Sequence, residues 1–475
     1  MKKILVVLIG CCLTAGPILA QKQYPTGLRF DDNEYDQVPL KAILTKGSFD
    51  NLAKTISFET YCPPVMSQGE FGTCVGFAST YYLRTMLDNI RQKQKLAATF
   101  SPSYTYNKIK QAYDTDCQQG ATIPDALFSL KMNGAPFYEA FPYPACGTIS
   151  AGLDQLAGKH KIGDVIRLFG LGATPAQKIL LMKKALSEGY PVVIGMETPL
   201  SFFAAREVWE PAPGDENTKG NGHAMCVIGY DDSKFGGAFR IINSWGDQWA
   251  DKGFCWVRYH DLGKYTKYAF QAFPDMTVPV ENENPALMTV LKGQLDLKLR
   301  DGVLMSARRT LQKGFTVTDD QPNDLMIYRL ANNYPSGTAF KLFVKTSEQS
   351  YLYVIGTDTT FQMNKLFPYA EGISPLLGPN ETVAYPSETK SITMDDVKGT
   401  DYLIVLFSKK PLDYNQLITQ FENTQGNLAD RVLKTLKDEV VPSHQIKYRS
   451  DVPGFELDGK AKGSVVPLIV AIEHK

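Results

Sequence analysis

One cysteine of this 475-residue chain has the setting of a catalytic nucleophile. Cys74 follows a glycine-containing approach, residues 64–73, and directly precedes an amphipathic run that predicts a helix. At a helix N-terminus the macrodipole and the unpaired N–H groups favour the thiolate over the thiol. Because the thiolate is the nucleophile, Cys74 is a candidate for covalent catalysis. The alternative is a small buried cysteine that begins a core helix.

Two further residues stand where the partners of such a nucleophile are expected. His223, one of five histidines, opens a short apolar run that predicts a strand. Asn243 follows a second strand-like run and precedes Trp245. Taken singly, a satisfied core histidine and a strand-end asparagine explain these residues. Cys, His and Asn in this order, each in its own setting, favour a shared function over coincidence.

These motifs resemble those of the papain family of cysteine peptidases. The resemblance covers residues 60–272 and implies a papain-like fold of the α+β class, with a helical lobe and a β-barrel-like lobe. It rests on a glutamine–cysteine motif, a histidine strand and an asparagine motif: Gln68-Gly69-x-x-Gly72-Thr73-Cys74, Gly222-His223-Ala224 and Asn243-Ser244-Trp245-Gly246.

The resemblance implies a role for each residue of the site. Cys74 attacks a peptide carbonyl, and His223 protonates the leaving amine. Asn243 fixes the orientation of the imidazole. The Gln68 amide and the backbone N–H of Cys74 form the oxyanion hole. Trp245 covers the Asn–His pair and keeps water from it.

Substrate binding is implied at Gly120, which would hydrogen-bond the substrate backbone, and at Ala224. The chain departs from the family pattern at three positions. Val75 replaces the tryptophan after the nucleophile, Phe71 replaces a disulfide cysteine, and Gln119 replaces the first glycine of the cleft motif. Cleft shape is therefore expected to differ, while every catalytic group is retained.

Among the other cysteines, the resemblance implies a disulfide bond between Cys117 and Cys146. Cys226 and Cys255 lie in apolar runs typical of buried free thiols, and Cys62 is unassigned. Neither C-x-x-C spacing nor histidine clustering occurs, so we expect no metal site and no cofactor. With 50 basic and 50 acidic residues, the composition also gives no indication of nucleic-acid binding.

The N-terminus has the pattern of a secretory signal peptide over residues 1–20, with cleavage after Ala20. We therefore expect an exported protein, periplasmic or secreted, in which disulfides are permitted. The alternative is lipid anchoring, since the residues that end at Cys11 resemble a bacterial lipoprotein box.

Outside the peptidase-like region the sequence predicts three further parts. Residues 21–59 lack the long helices of a papain-family prodomain, and we interpret them as a strap that packs on the peptidase domain. Residues 273–287 read as a linker. Residues 288–475 predict a β-sandwich with one appended helix, over residues 417–440. This region resembles a domain of unknown function found attached to bacterial peptidases, and we expect it to dock or tether the enzyme to a protein or cell-surface partner.

The sequence thus predicts an exported cysteine endopeptidase that cleaves peptide or protein substrates through a thioester acyl-enzyme. Two alternatives stay open. One is an exopeptidase or another acyl transferase that uses the same three residues. The other is a non-catalytic peptide-binding module, whose signature would be a missing member of the catalytic set.

Overall fold

The computed structural model describes residues 23–94, 98–276, 291–313, 324–457 and 461–474. The predicted signal segment 1–20, with Cys11, and most of the predicted linker 273–287 lie outside the described residues. The helices in chain order are α1 (Asp32–Gln37), α2 (Cys74–Gly76), α3 (Thr85–Gln92), α4 (Pro102–Ile109), α5 (Ile123–Met132), α6 (Ala151–Ala157), α7 (Pro175–Ser187), α8 (Leu200–Phe203), α9 (Tyr259–Tyr265), α10 (Tyr414–Asn423) and α11 (Leu428–Leu436). No helix within these ranges is long and apolar enough to cross a membrane.

The strands form three β-sheets among the described residues. They are β1 (Thr55–Ser57), β2 (Ile162–Arg167), β3 (Val192–Thr198), β4 (Val208–Trp209), β5 (Asn221–Asp231), β6 (Ala238–Ile242), β7 (Phe254–Arg258), β8 (Thr266–Pro274), β9 (Leu291–Leu299), β10 (Ala307–Lys313), β11 (Asp324–Leu330), β12 (Ala339–Thr346), β13 (Ser350–Thr357), β14 (Asn364–Phe367), β15 (Leu376–Leu377), β16 (Glu381–Tyr385), β17 (Ile392–Thr393), β18 (Gly399–Ser408), β19 (Ile446–Tyr448), β20 (Gly454–Leu457) and β21 (Val465–His474).

The helix that starts at Cys74 is the centre of the helical lobe. It runs through α2, a π-helical stretch at Phe77–Arg84 and α3, and its first fourteen residues are buried. A π-helical stretch has wider turns than an α-helix and is frequent at functional sites. The neighbouring helices α4 and α5 start at Ser101 and Thr122, whose side chains accept N-capping hydrogen bonds. The helix presents Cys74, at its N-terminus, to the sheet.

The eight-stranded sheet carries the other two expected catalytic residues. Its order is β2-β8-β3-β5-β6-β7-β4, and β1 pairs with β5. Strands β5 and β6 are antiparallel, with Cys226 opposite Ile242. His223 therefore lies near the start of β5, and Asn243 follows the end of β6 at the same edge of the pair.

The C-terminal domain, described residues 291–474, consists of a seven-stranded sheet packed on a six-stranded sheet. Apolar residues from both sheets share one core, among them Leu295 and Leu342 from one sheet and Leu352 and Val405 from the other. The α+β class and the C-terminal β-rich architecture are thus confirmed. The two domains touch, because Ile166 and Phe273 join the apolar cluster on the outer face of the seven-stranded sheet.

The appended helix predicted over residues 417–440 is wrong in one respect, because this stretch is not a single helix. It contains most of α10 and all of α11, which are separated at Gly426, where φ is +120°. Asn427 then begins α11 through a capping box with Asp430. A backbone conformation that only glycine adopts readily, followed by a strong N-cap, ends one helix and starts another.

Candidate active site

The Cys74 thiol is fully buried at the start of α2. It lies within hydrogen-bonding reach of backbone groups of Ala224, which follows His223, and of Gly27 in the strap. Burial raises the pKa of the Cys74 thiol to about 12, and these backbone hydrogen bonds oppose the rise only in part. The helix terminus favours a thiolate, but exclusion of water outweighs it in this closed arrangement.

His223 and Asn243 form a buried pair at the same edge of the sheet. The imidazole Nε2 lies 2.7 Å from Asn243 Oδ1, and the indole of Trp245 stacks on the imidazole with ring centroids 4.5 Å apart. Tyr82, in the π-helical stretch, donates a hydrogen bond to the Asn243 carbonyl at 2.9 Å. Burial lowers the pKa of His223 to about 4. Among the described residues Nδ1 has no hydrogen-bond partner, so this nitrogen remains available for proton transfer.

Gln68 is held in place beside this pair by two hydrogen bonds from its side chain. Its Oε1 accepts a hydrogen bond from the Ser244 hydroxyl at 2.6 Å, and its Nε2 donates to the carbonyl of Phe71 at 2.8 Å. An amide nitrogen carries two hydrogens, so one remains for an oxyanion. The resemblance identified Gln68 but not the hydrogen bond from Ser244. This contact is recognisable only in the structure, which brings the end of β6 next to the segment before Cys74.

The loop at Gly120 differs from the expectation. The Gly120 N–H donates to the Tyr106 hydroxyl at 2.9 Å, and this hydroxyl donates to Asp114 at 2.7 Å. It is the next residue, Ala121, whose N–H and carbonyl face the cleft, where they pair with Gly27 and Arg29 of the strap. Sequence reasoning missed Ala121, Tyr106 and Asp114, because no pattern in the chain links them.

The first described residues of the strap, 23–30, fill the cleft. Tyr24 stacks on Trp245 with centroids 4.9 Å apart, and the carbonyl of Pro25 accepts a hydrogen bond from the indole. Gly27 lies so close to the nucleophile loop that a Cβ there would be 2.0 Å from the Gly72 carbonyl oxygen. Only glycine permits this approach. The strap therefore occupies the active-site cleft and does not merely pack on the surface of the domain.

Leu28 continues the strap on the other side of the thiol. Its N–H donates to the Gly222 carbonyl at 3.1 Å, and it pairs in parallel with Ala121. Its side chain lies against Gly195, where a Cβ would be 2.8 Å from Leu28 Cδ2 and 3.4 Å from Ile123 Cδ1. The strap therefore passes from Trp245, over Cys74, to an apolar recess beside Ala121.

The cysteines outside the site are arranged as follows. Cys117 and Cys146 are joined by a disulfide bond, and Cys62, Cys226 and Cys255 are buried free thiols. Within the described residues, no group of three or more His, Cys, Asp or Glu side chains is arranged to hold a metal ion.

Comparison with known families assigns both domains. Residues 52–270 match the family described as "Papain family cysteine protease", and residues 333–411 match "Domain of unknown function (DUF4384)". The chain therefore carries a papain-family cysteine protease domain, which confirms the expected papain-like fold, followed by a DUF4384 domain.

Similar proteins include cathepsin K from Mus musculus, 25% identical over 196 residues, which cover 41% of this chain and 55% of the relative. Cathepsin K from Gallus gallus is 26% identical over 198 residues, which cover 41% of this chain and 54% of the relative. The chain thus spans about half the length of these curated relatives. Among solved structures, xylellain, a cysteine protease from Xylella fastidiosa, has a TM-score of 0.44 and 22% identity, and the match covers 54% of this chain and 97% of that chain.

Proposed function

We propose that the protein is a cysteine endopeptidase that hydrolyses peptide bonds through Cys74, His223 and Asn243. The observation that carries the proposal is the buried 2.7 Å contact between His223 Nε2 and Asn243 Oδ1, under Trp245 and next to the residue whose backbone approaches the Cys74 thiol. A nucleophile, a base and a group that orients the base are the constellation that covalent hydrolysis requires. The match to the papain family supports the same assignment.

The reaction follows from these groups. The Cys74 thiol gives its proton to His223 Nδ1, and the thiolate attacks the peptide carbonyl carbon. The resulting oxyanion receives hydrogen bonds from the Cys74 N–H and from Gln68 Nε2. His223 then protonates the leaving amine as the C–N bond breaks, which leaves a thioester on Cys74. In the second half His223 takes a proton from water, the hydroxide attacks the thioester, and the acid leaves as the thiol re-forms.

Substrate would use the backbone groups that the strap now occupies. Ala121 and Gly222 offer an N–H and carbonyls along the cleft, and Ala224 lies beside the thiol. A substrate whose residues upstream of the cut lie over Ala121, with its downstream residues beside Trp245, runs opposite to residues 23–30. We therefore regard these residues as an inhibitory occupant, because their peptide bonds are presented to the thiolate in reverse.

The test is cleavage of fluorogenic peptides blocked at both ends, by a variant whose strap is loosened, Leu28→Ala. Internal cleavage that disappears in Leu28→Ala/Cys74→Ala is the expected result. Cleavage that survives loss of the thiol would overturn the proposal. Cleavage restricted to peptides with a free end would replace the endopeptidase by an exopeptidase on the same residues.

We also propose that the enzyme acts after export, in the periplasm or secreted. The signal-like pattern of residues 1–20 and the Cys117–Cys146 disulfide support this, since disulfides persist in oxidising compartments. The mass of the mature protein would test it. A chain that begins at Gln21 supports cleavage after Ala20, whereas one that begins at a lipidated Cys11 shows anchoring.

A further inference from the structure

We infer that the C-terminal domain clamps the strap in the cleft through residues 39–45 and the buried side chain of Lys41. The inference rests on the proposed function only in giving the clamp a purpose, which is control of the same active site. It assigns to the DUF4384 domain a part in latency.

Lys41 lies at the point where the strap and both domains meet. Its side chain is 1% exposed, and its ammonium lies 3.0 Å from Glu188 Oε2 and 2.5 Å from Glu381 Oε1. Glu188 follows α7 in the N-terminal domain, and Glu381 begins β16 in the C-terminal domain. Gln271 of β8 also belongs to the cluster, with Oε1 3.3 Å from the ammonium and Nε2 donating to Glu188. A second buried cation, Lys184, lies 3.4 Å from the other oxygen of Glu188. One strap cation is thus held between a carboxyl group from each domain.

The strap backbone is also shared between the domains. On one side the Pro39 carbonyl and the Lys41 N–H pair with Arg167 of β2, both at 2.9 Å. On the other side the Leu40 N–H donates to Gly372 at 2.7 Å, and the Leu40 carbonyl accepts from Ser374 at 2.8 Å. Residues 39–41 therefore act as one extended strand whose two edges belong to different domains.

Three more contacts extend the hold of the C-terminal domain on the strap. The Ile43 N–H donates to the Tyr369 hydroxyl at 3.2 Å. The Thr45 N–H donates to the Thr382 carbonyl at 3.0 Å, and Leu44 bridges to Val383. Residues 40–45 are thereby tied to the C-terminal domain at almost every position.

These contacts couple two equilibria, docking of the C-terminal domain and occupancy of the cleft. Between the clamp and the cleft, Tyr35 in α1 anchors the strap to the N-terminal domain by a 2.6 Å hydrogen bond to the Phe169 carbonyl. If the C-terminal domain undocks, Lys41 loses Glu381, and the backbone groups of Leu40, Ile43 and Thr45 lose their hydrogen-bond partners in that domain. Lys41 then keeps only Glu188 and Gln271, both in the N-terminal domain. The strap is held by fewer contacts, so its release from the cleft costs less free energy.

The experiment is hydrogen exchange of the full chain in a Cys74→Ala background, where no peptidase activity is needed. The amides of Leu28 and Arg29 report the cleft, since they donate to Gly222 and Ala121. Glu381→Ala is expected to speed their exchange by about tenfold or more. Tyr369→Phe, which removes one neutral hydrogen bond to Ile43, is expected to speed it by roughly twofold to tenfold. The matched control is Glu456→Ala, whose carboxylate pairs with Lys292 and Lys447 in the same domain.

The outcomes separate cleanly. Faster exchange at Leu28 and Arg29 in both test variants, with the control unchanged, supports the clamp. Unchanged exchange there while residues 40–45 exchange faster overturns it, because the cleft residues would then be held independently. An equal effect in Glu456→Ala also overturns it. Should Glu381→Ala fail to fold, Tyr369→Phe decides. The exchange measurement does not depend on peptide cleavage. A negative cleavage assay would therefore count against the proposed activity without affecting the test of the clamp.

Discussion

The indole Nε1 of Trp245 donates a hydrogen bond to the carbonyl oxygen of Pro25, at 2.9 Å. The same indole stacks on the imidazole of His223. The residue that stacks on the imidazole of the His–Asn pair is therefore also a support for the strap. To leave the cleft, the strap must give up its hydrogen bond with Trp245.

Loosening the strap should expose the thiol. Leu28 is buried against Gly195, so Leu28→Ala removes apolar contact that a loose strap cannot recover. We expect alkylation of Cys74 by iodoacetamide to become at least about tenfold faster, as followed by peptide mass mapping. Ile43→Ala, at a strap side chain that is 71% exposed, is the matched control and should leave the rate unchanged. Equal rates in wild type and Leu28→Ala would contradict an occluding strap.

Acid should open the cleft. Burial holds the pKa of His223 at about 4 in the closed form, against its ordinary 6.5. Between these two values the closed form binds fewer protons than the open form. The equilibrium constant for closure is therefore at its full value above pH 6.5 and falls by about tenfold per pH unit as the pH drops toward 4. Protection factors at Leu28, measured in Cys74→Ala, should decrease over this range. The change should vanish in Cys74→Ala/His223→Gln, and a pH-independent protection factor in Cys74→Ala itself would count against the closed-state imidazole.

Tyr106 should matter for substrate binding more than for chemistry. Tyr106→Phe leaves the Gly120 N–H and Asp114 without their shared hydroxyl, next to the backbone of Ala121. In a Leu28→Ala background we expect KM to rise roughly twofold to tenfold, with kcat nearly unchanged. Steady-state kinetics on a blocked peptide measure both constants. A fall in kcat at constant KM would place Tyr106 in a different role.

Removal of the oxyanion donor should have the opposite signature. In the same background Gln68→Ala should lower kcat by about a hundredfold to a thousandfold, because the donor acts on charge that develops in the transition state. Ser244→Ala removes only the hydroxyl that holds Gln68 Oε1, so a smaller loss in the same constant is expected. If Gln68→Ala matched its parent, the oxyanion assignment would be refuted.

Where local patterns determine structure, the sequence was informative. The run after Cys74 is helical, and the apolar runs around His223 and before Asn243 are strands β5 and β6. Each of these elements carries its own periodicity or apolar signal, and the motif residues lie at their ends. The disulfide between Cys117 and Cys146 also joins the pair that the resemblance implied.

The strap shows why other features were not predictable. Residues 23–30 have no periodicity, and their path is determined by contacts with distant residues, such as the close approach of Gly27 to Gly72. In the sequence nothing distinguishes Lys41 from an ordinary surface lysine, because its burial depends on distant residues of both domains. The prediction of a single helix over residues 417–440 was wrong for a local reason, because the backbone conformation of Gly426 outweighs the apolar pattern around it.

The central claim is that Cys74 and His223 form a reactive pair once the strap leaves. The most direct measurement is the intact mass of Leu28→Ala after incubation with the epoxide inhibitor of papain-like enzymes, followed by peptide mapping. The account predicts one adduct, on Cys74, and no adduct on Leu28→Ala/Cys74→Ala. No adduct on Leu28→Ala, in a protein whose Leu28 region exchanges hydrogen freely, would contradict it.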